Sequence, residues 1–384
     1  MLNHQNVYNA ATQITEYILK SVSAEDSWGT TDYTDWGPII TVLNVENLLK
    51  CGISVNEGWT IVKGKDTTHC SIEKCINYLS NKVQCNGAFG ADFWDTCKLA
   101  TLIVEYNLHD YFEYNKIHAY IMDFVAGGGL EVQTTDYSQS AEWSGPGTYA
   151  ACVQYLFLSG ERDIANDILS KAIALQQIDG SFVGKKNRTG DNIIHPIRHT
   201  AQMLKVILKS NYGNDADKIE KIKHWMESVQ GSSGEYDDFG QFITYYTAYA
   251  ALAFLALPTY PQPHTDLAID YLLSKVHDGK VDDFGGTVMA VQAFDAYLGA
   301  NSVSSIYKTI QISHAEDLLI ENKELKNNIE ELSKTIEQYH EKYKDADIVF
   351  SKKDAWKWGI WFGLITLLLG VILPIIINVI LEVF

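Results

Sequence analysis

The sequence predicts an all-α protein: a ring of about six helical hairpins, followed by a coiled-coil helix and one transmembrane helix. Three observations predict it. A turn-plus-aromatic signal recurs at intervals of about 40 to 60 residues, the self-similarity of a repeat architecture. An apolar helical run follows each copy. Beyond Ala300 the chain turns first into uninterrupted heptads and then into a long apolar tail.

The clearest signal is Ile178-Asp179-Gly180-Ser181-Phe182. Looser copies are Asp26-Ser27-Trp28-Gly29, Asn86-Gly87-Ala88-Phe89-Gly90, Gly128-Gly129-Leu130-Glu131, Ser233-Gly234-Glu235-Tyr236 and Asp278-Gly279-Lys280-Val281. The runs that follow are Ile39 to Leu49, Thr96 to Tyr106, Thr148 to Leu158, Thr200 to Leu208, Thr244 to Leu257 and Thr287 to Leu298. They are apolar almost all round, so each must be buried on most sides. Segments before the signals, such as Ala165 to Gln176 and Lys218 to Val229, space apolar residues by three and four with charges between, as outer helices do. Inner helices facing a common axis suit a closed ring, with an open solenoid as the alternative.

Composition narrows the function. A formal net charge of -18 excludes nucleic acid as a partner, because no basic stripe is available to neutralise phosphates. The six cysteines form no CxxC pair and no leader precedes them, which reads as reduced thiols in a cytosolic compartment.

From Ala315 to Tyr343 there is no Gly or Pro, and Leu318, Asn322, Leu325, Ile329, Leu332, Ile336, Tyr339 and Tyr343 alternate at spacings of four and three. The Ile/Leu core with one Asn predicts a parallel homodimer, or else a single helix packed back on the ring. Residues 356–381 are apolar enough for one bilayer span, with Trp356, Trp358 and Trp361 at its start. Lys352, Lys353 and Lys357 precede it and no Lys or Arg follows, so the positive-inside rule places the ring in the cytoplasm of a single-pass, tail-anchored membrane protein. The domains expected are 1–300 ring, 301–350 stalk and 356–381 anchor.

The repeated pattern Gln177-x-Asp179-Gly180-Ser181-Phe182 resembles that of the terpenoid cyclase and protein prenyltransferase superfamily over about three quarters of the chain. The resemblance implies an (α/α)6 toroid with a central cavity. Gly180 to Asp191 is similar to the segment of prenyltransferase β subunits reading Gly-Gly-aromatic-x-Gly-Arg-x-Asn-Lys-x-x-Asp-x-Cys. It implies isoprenoid diphosphate binding at Lys185 and Arg188, beside Asp191. Paired cations also suit a phosphate on physical grounds; the plain alternative is a solvated polar loop.

The same comparison removes the family's zinc, since its Cys falls on Ile193 and its His near Tyr246. A rebuilt site from Asp95, Cys97 and His199 is the zinc alternative, although cyclase-type toroids carry Trp-Asp-Thr at that place without metal. No cofactor is expected otherwise, and the family's magnesium-binding Asp-Asp-x-x-Asp motif is absent. Class II cyclases protonate a double bond with the acid of an Asp-x-Asp-Asp motif. The nearest matches, Asp237-Asp238 and Asp282-Asp283, lack its first Asp and are the weak catalytic candidates.

Asp32, Asp35, Asp92, Asp95, Asp136, Glu142, Asp191, Asp237, Asp238, Asp282 and Asp283 all lie between a signal and its inner helix. On a closed ring they share one rim, which would attract a cation, a basic peptide or magnesium; singly, each would cap the adjoining helix. Two readings of function follow. The first is a non-catalytic, membrane-anchored toroid that binds an isoprenoid, anionic lipid or cationic peptide as a sensor, effector or scaffold in signalling or defence. The second is a membrane-bound isoprenoid enzyme, terpene cyclase-like or prenyltransferase-like.

Overall fold

The computed structural model describes residues 2–29, 37–63, 66–130, 145–183, 196–238, 242–281, 284–344, 359–361 and 363. Helices alternate along the first part of the chain: α1 (His4–Ser21) and α2 (Gly37–Lys50), α3 (Ile72–Asn81) and α4 (Phe93–Glu105), α5 (Tyr114–Ala126) and α6 (Pro146–Ser159). Then come α7 (Arg162–Ile173) and α8 (Pro196–Leu208), α9 (Ala216–Ser228) and α10 (Ile243–Leu255), α11 (Gln262–Ser274) and α12 (Phe284–Leu298). The even helices are the inner ones. Each packs on the next, from α2 through α4, α6, α8 and α10 to α12, and α12 packs back on α2 and α1, so the ring is closed.

The sequence dictates which layer a helix joins. In α10 the buried positions run almost without a break from Thr244 to Phe254, which only a helix enclosed by neighbours can satisfy. In α3 they form one stripe, Ile72, Cys75, Ile76 and Leu79, with polar residues on the solvent side. Burying each such Ile or Leu is worth about 1.5–3 kcal/mol relative to exposure. A charge at Ile76 would therefore detach this outer helix.

The recurrent turn is a two-sided clamp. Its first residue donates a backbone N–H to the carbonyl four residues on, as in Ser23 to Ser27, Gln84 to Ala88, Gln177 to Ser181 and Gly231 to Glu235, each at 2.8 Å. Its glycine has positive φ and rests on a carbonyl of the next outer helix: a Cβ on Gly87, Gly180 or Gly234 would stand 2.3, 2.4 or 2.2 Å from the carbonyl oxygen of Lys116, Lys221 or Leu267. Only glycine fits both demands. On the other side, an inner-helix threonine hydroxyl accepts the backbone N–H of the aromatic position: Thr41 from Trp28 at 3.0 Å, Thr96 from Phe89, Thr200 from Phe182 and Thr247 from Tyr236 at 2.9 Å. These bonds satisfy buried donors that would otherwise have no partner.

Two short hairpins interrupt the all-α pattern. Strands β1 (Gly58–Lys63) and β2 (Asp66–Ser71) pair antiparallel with Trp59 opposite Cys70, and the Trp59 indole N–H donates to the Leu19 carbonyl at 2.9 Å. The run Trp59-Thr60-Ile61-Val62, an aromatic followed by three β-branched residues shortly before Gly64, is the strand signal that the helical reading passes over. Strands β3 (Val276–His277) and β4 (Lys280–Val281) merely frame the sixth turn.

The first compact unit spans Met1–Ser313 and the second His314–Phe384. Helix α13 (Ala300–Val303) and the start of α14 (Ile306–Lys344) belong to the first, where Val303, Ile306, Tyr307 and Ile310 are buried. The expected coiled coil is corrected. The heptads form one helix whose seam residues Leu325 and Leu332 are 52% and 63% exposed, with Ile336 and Tyr339 exposed as well. Among the described residues no second helix of the chain packs on that seam to supply the holes a coiled coil requires. The side chains of Leu318, Asn322 and Tyr343 lie outside the described residues.

The expected transmembrane helix is corrected too. Among the described residues no helix is long and apolar enough to cross a membrane, and of residues 356–381 only 359–361 and 363 are described. An apolar run becomes a span only as one unbroken helix of about 20 residues. The bilayer partner and the single-pass, tail-anchored location depended on it and fall with it.

Candidate functional site

At the N-terminal ends of the inner helices the ring forms a half-open cavity, whose ≈ 600 Å³ of free space includes the open solvent at its mouth. Ile39, Ile40 and Leu43 of α2 supply an apolar wall, and Asp92, Trp94 and Asp95 at the start of α4 face Arg198 of α8 and Tyr245 of α10. The segments that lead into the inner helices at this end, 30–36, 131–144, 184–195, 239–241 and 282–283, lie outside the described residues.

The start of α4 is built around its two carboxyls. Asp92 is the N-cap, its Oδ1 accepting the Asp95 N–H at 3.0 Å. Asp95 reaches back, its Oδ2 accepting the Ala91 N–H at 2.8 Å. Gly90, at φ +72°, makes room for it, since a Cβ there would stand 2.3 Å from that oxygen. Trp94 is buried, and the buried Arg198 guanidinium lies over its indole, 5.0 Å from the ring centroid.

Both carboxyls are pushed up from the usual carboxylate range. Burial is the main cause for each, and for Asp95 the Asp92 charge adds to it. The N–H bonds and Arg198 pull the other way without cancelling the shift. The Asp92 charge opposes ionisation of Asp95, which, only 5% exposed, is the member pushed furthest toward its neutral form. Tyr245 stacks edge-on with Tyr249 at 4.9 Å, its hydroxyl donating to the Tyr249 hydroxyl at 3.4 Å. A carboxyl biased toward its neutral form thus opens on an apolar cavity flanked by aromatic faces, a setting for protonating a hydrophobic substrate and steadying a cation formed from it.

Of the residues singled out in the sequence, Asp95 lies in this cavity, whereas Cys97 and His199 turn elsewhere. The Cys97 thiol is hydrogen-bonded to Cys152 and held protonated by burial, and His199 Nδ1 accepts the Gly147 N–H at 3.1 Å. Among the described residues no group of three His, Cys, Asp or Glu is placed to hold a metal ion. Asp238 accepts a bond from the Ile197 N–H, and its carboxyl is pushed up to about 8 by burial and then by Asp237. Its Oδ2 is buried with no hydrogen-bond partner among the described residues, but it does not line the cavity. Asp237 is exposed. Lys185, Arg188, Asp191, Asp282 and Asp283 lie outside the described residues, as do Asp32, Asp35, Asp136 and Glu142 of the acidic rim. Sequence reasoning missed Arg198 and Tyr245; the available signal was an Arg at a position of α8 that the helical pattern buries.

No known protein family matches the chain, and no curated protein does. Solved structures do. The type II terpene cyclase MstE from Scytonema, in its apo form, superposes with a TM-score of 0.55 at 11% identity, over 79% of this chain and 99% of that one. A variant of the same enzyme in complex with its substrate, geranylgeranyl dihydroxybenzoate, gives 0.54 at 11%, over 78% and 98%. A possible GH105 family member from Salmonella enterica gives 0.52 at 11%, over 78% and 95%. Identities this low show the α/α toroid and nothing finer. The reading of a membrane-anchored, non-catalytic toroid is corrected: no described helix crosses a membrane, and solved structures sharing the fold include a terpene cyclase with its substrate bound.

Proposed function

We propose that the chain is an isoprenoid enzyme of terpene-cyclase type, which starts a cyclisation in the lumen by protonating a carbon–carbon double bond. One observation carries the reading: the buried Asp92–Asp95 pair, its carboxyls pushed up from the usual range, opens on an apolar cavity walled by Ile39, Ile40 and Leu43 and by the rings of Trp94 and Tyr245.

In this reading Asp95 is the general acid. Its O–H proton passes to one alkene carbon while the π electrons form the new C–H bond, leaving a cation on the other carbon. An internal double bond attacks that cation and closes a ring. A proton lost from the cyclic cation returns to the carboxylate, so the product is an isomer of the substrate and no co-reactant is consumed. Asp92 holds Asp95 in its neutral form, and the aromatic faces stabilise the travelling positive charge.

The test is incubation of the full chain in D₂O with linear isoprenoids of increasing length, with products read by mass spectrometry. A cyclic isomer carrying deuterium is expected, and Asp95→Asn should abolish it while the circular dichroism spectrum stays unchanged. Pyrophosphate release without deuterium in the product, or turnover that survives Asp95→Asn, would overturn the assignment.

A further inference from the structure

Deeper in the lumen the sign of the lining changes. Lys98 of α4, Lys205 of α8 and the amides of Gln154, Gln202 and Gln292 line a second cavity of ≈ 470 Å³ counted with its mouths. Leu43 and Trp94 line both cavities and so form the wall between them. Helix geometry sets the depth: Lys98 follows Asp95 by three residues and Lys205 follows Arg198 by seven, about 5 and 10 Å along the helix axes.

The charges there do not balance. Lys98 Nζ lies 5.9 Å from the Trp94 ring centroid, and among the described residues neither lysine makes a hydrogen bond or salt bridge. The carboxylate whose charge reaches both is Glu46, already held by Lys50 at 2.5 Å. Burial alone would push Glu46 up, yet Lys50, Lys98 and Lys205 together bring it down to about 2. Glu46 is therefore ionised beside Lys50, and among the described residues no carboxylate forms an ion pair with Lys98 or Lys205. Lys205 is in turn pushed down to about 8, first by burial and then by Lys98 and Lys50. Gln292 Nε2 is buried with no hydrogen-bond partner among the described residues, a further donor waiting in the same cavity. Half-buried cations without partners are costly, and an anion relieves that cost.

We propose that this lower cavity is a binding site for a phosphate-class oxyanion, held by Lys98 and Lys205 with the Gln292 amide. Two ammonium groups match the two charges of a phosphate better than the single charge of a carboxylate, and lysines bind phosphate as point charges without a fixed fork geometry. The inference uses neither carboxyl of the acid pair and stands or falls apart from the cyclase reading. Two sources supply this chemistry: a free inorganic anion, or the phosphorylated end of an isoprenoid.

Calorimetry on the full chain with inorganic pyrophosphate tests it. Binding is expected at one site per chain. Lys98→Met and Lys205→Met should each weaken it about ten-fold, while the Lys98→Arg, Lys205→Arg pair keeps the charge and the binding, showing that the loss is not unfolding. Asp95→Asn should leave binding unchanged, which separates this site from the acid. A prenyl diphosphate that binds more tightly than pyrophosphate, with the same lysine dependence, assigns the anion to the substrate; equal affinity assigns it to a free ion. No binding by the unaltered chain, or binding lost with Lys185→Ala and Arg188→Ala but kept without the lumen lysines, would overturn the proposal.

Discussion

Gly90 and Asp95 occupy the same corner: the absent side chain of the first is the space taken by the carboxyl of the second, 2.3 Å from where a Cβ would stand. Gly90→Ala is therefore expected to cost both the positive-φ strain and the displacement of the acid, on the order of 2–3 kcal/mol. Gly160→Ala is the control, with φ +93° and nothing within 4 Å, and it should cost only about 1 kcal/mol. Chemical denaturation measures both. Equal losses would show that the Asp95 carboxyl is not fixed there.

Stability should fall between weakly acidic and weakly basic pH. Asp238 is pushed up to about 8, against about 3.9 unfolded, so the folded chain holds this proton more tightly than the unfolded one. Its stabilising contribution is fully present below about pH 4 and is lost as the pH rises through about 8. Asp92 and Asp95 act in the same direction. Asp238→Asn, which cannot ionise, should flatten the dependence of denaturation midpoint on pH. An unchanged slope would mean that Asp238 ionises normally in the folded chain.

The threonine clamps should be structural. Thr200→Val leaves the buried N–H of Phe182 without its 2.9 Å acceptor and is expected to cost about 1–3 kcal/mol. Thr200→Ser keeps the hydroxyl and should cost less. A Val variant as stable as the Ser variant would remove the clamp from the account of the repeat.

Thiol accessibility gives a direct check on the ring. Cys85 is exposed, whereas Cys51, Cys70, Cys75, Cys97 and Cys152 are buried. A thiol reagent should label Cys85 rapidly in the native chain and the others only after denaturation. Burial also holds the Cys51 and Cys75 thiols protonated, which slows them further. Rapid labelling of Cys97 or Cys152 would place α4 and α6 differently.

The ring was legible in the sequence because the repeats at Gly87, Gly180 and Gly234 state their geometry locally: a glycine at positive φ, an aromatic two places on, and a threonine in the next apolar run. The hairpin from Gly58 to Ser71 was not, because its strand signal lasts only a few residues and has no counterpart in the other repeats. The heptads gave a helix, but a seam pattern describes only one partner, and Leu325 and Leu332 stand exposed. The acid pair was half legible. Asp92 and Asp95 were visible among many acids, yet nothing in their own neighbourhood distinguished them. What does so is Arg198 and Tyr245, more distant in sequence and brought opposite only by ring closure. Lys98 and Lys205 were overlooked for the same reason, since a cation on an inner helix acquires meaning only from what the opposite wall presents.

The glycine of the sixth turn, Gly279, has φ +73° and rests on the carbonyl of Gln13 in α1, where a Cβ would stand 2.6 Å from that oxygen. The clamps of Gly87, Gly180 and Gly234 join neighbours in the chain, but this one joins the first and last hairpins of the ring. During synthesis α1 must wait for nearly the whole ring to emerge before its partner exists, a long-range contact that slows the final step and leaves apolar surface uncovered meanwhile. It also fixes the number of hairpins. A solenoid gains or loses a unit at its free end with little penalty, whereas a hairpin added to or removed from this ring would pull Gly279 away from Gln13 and open the wall on which both lumen cavities depend.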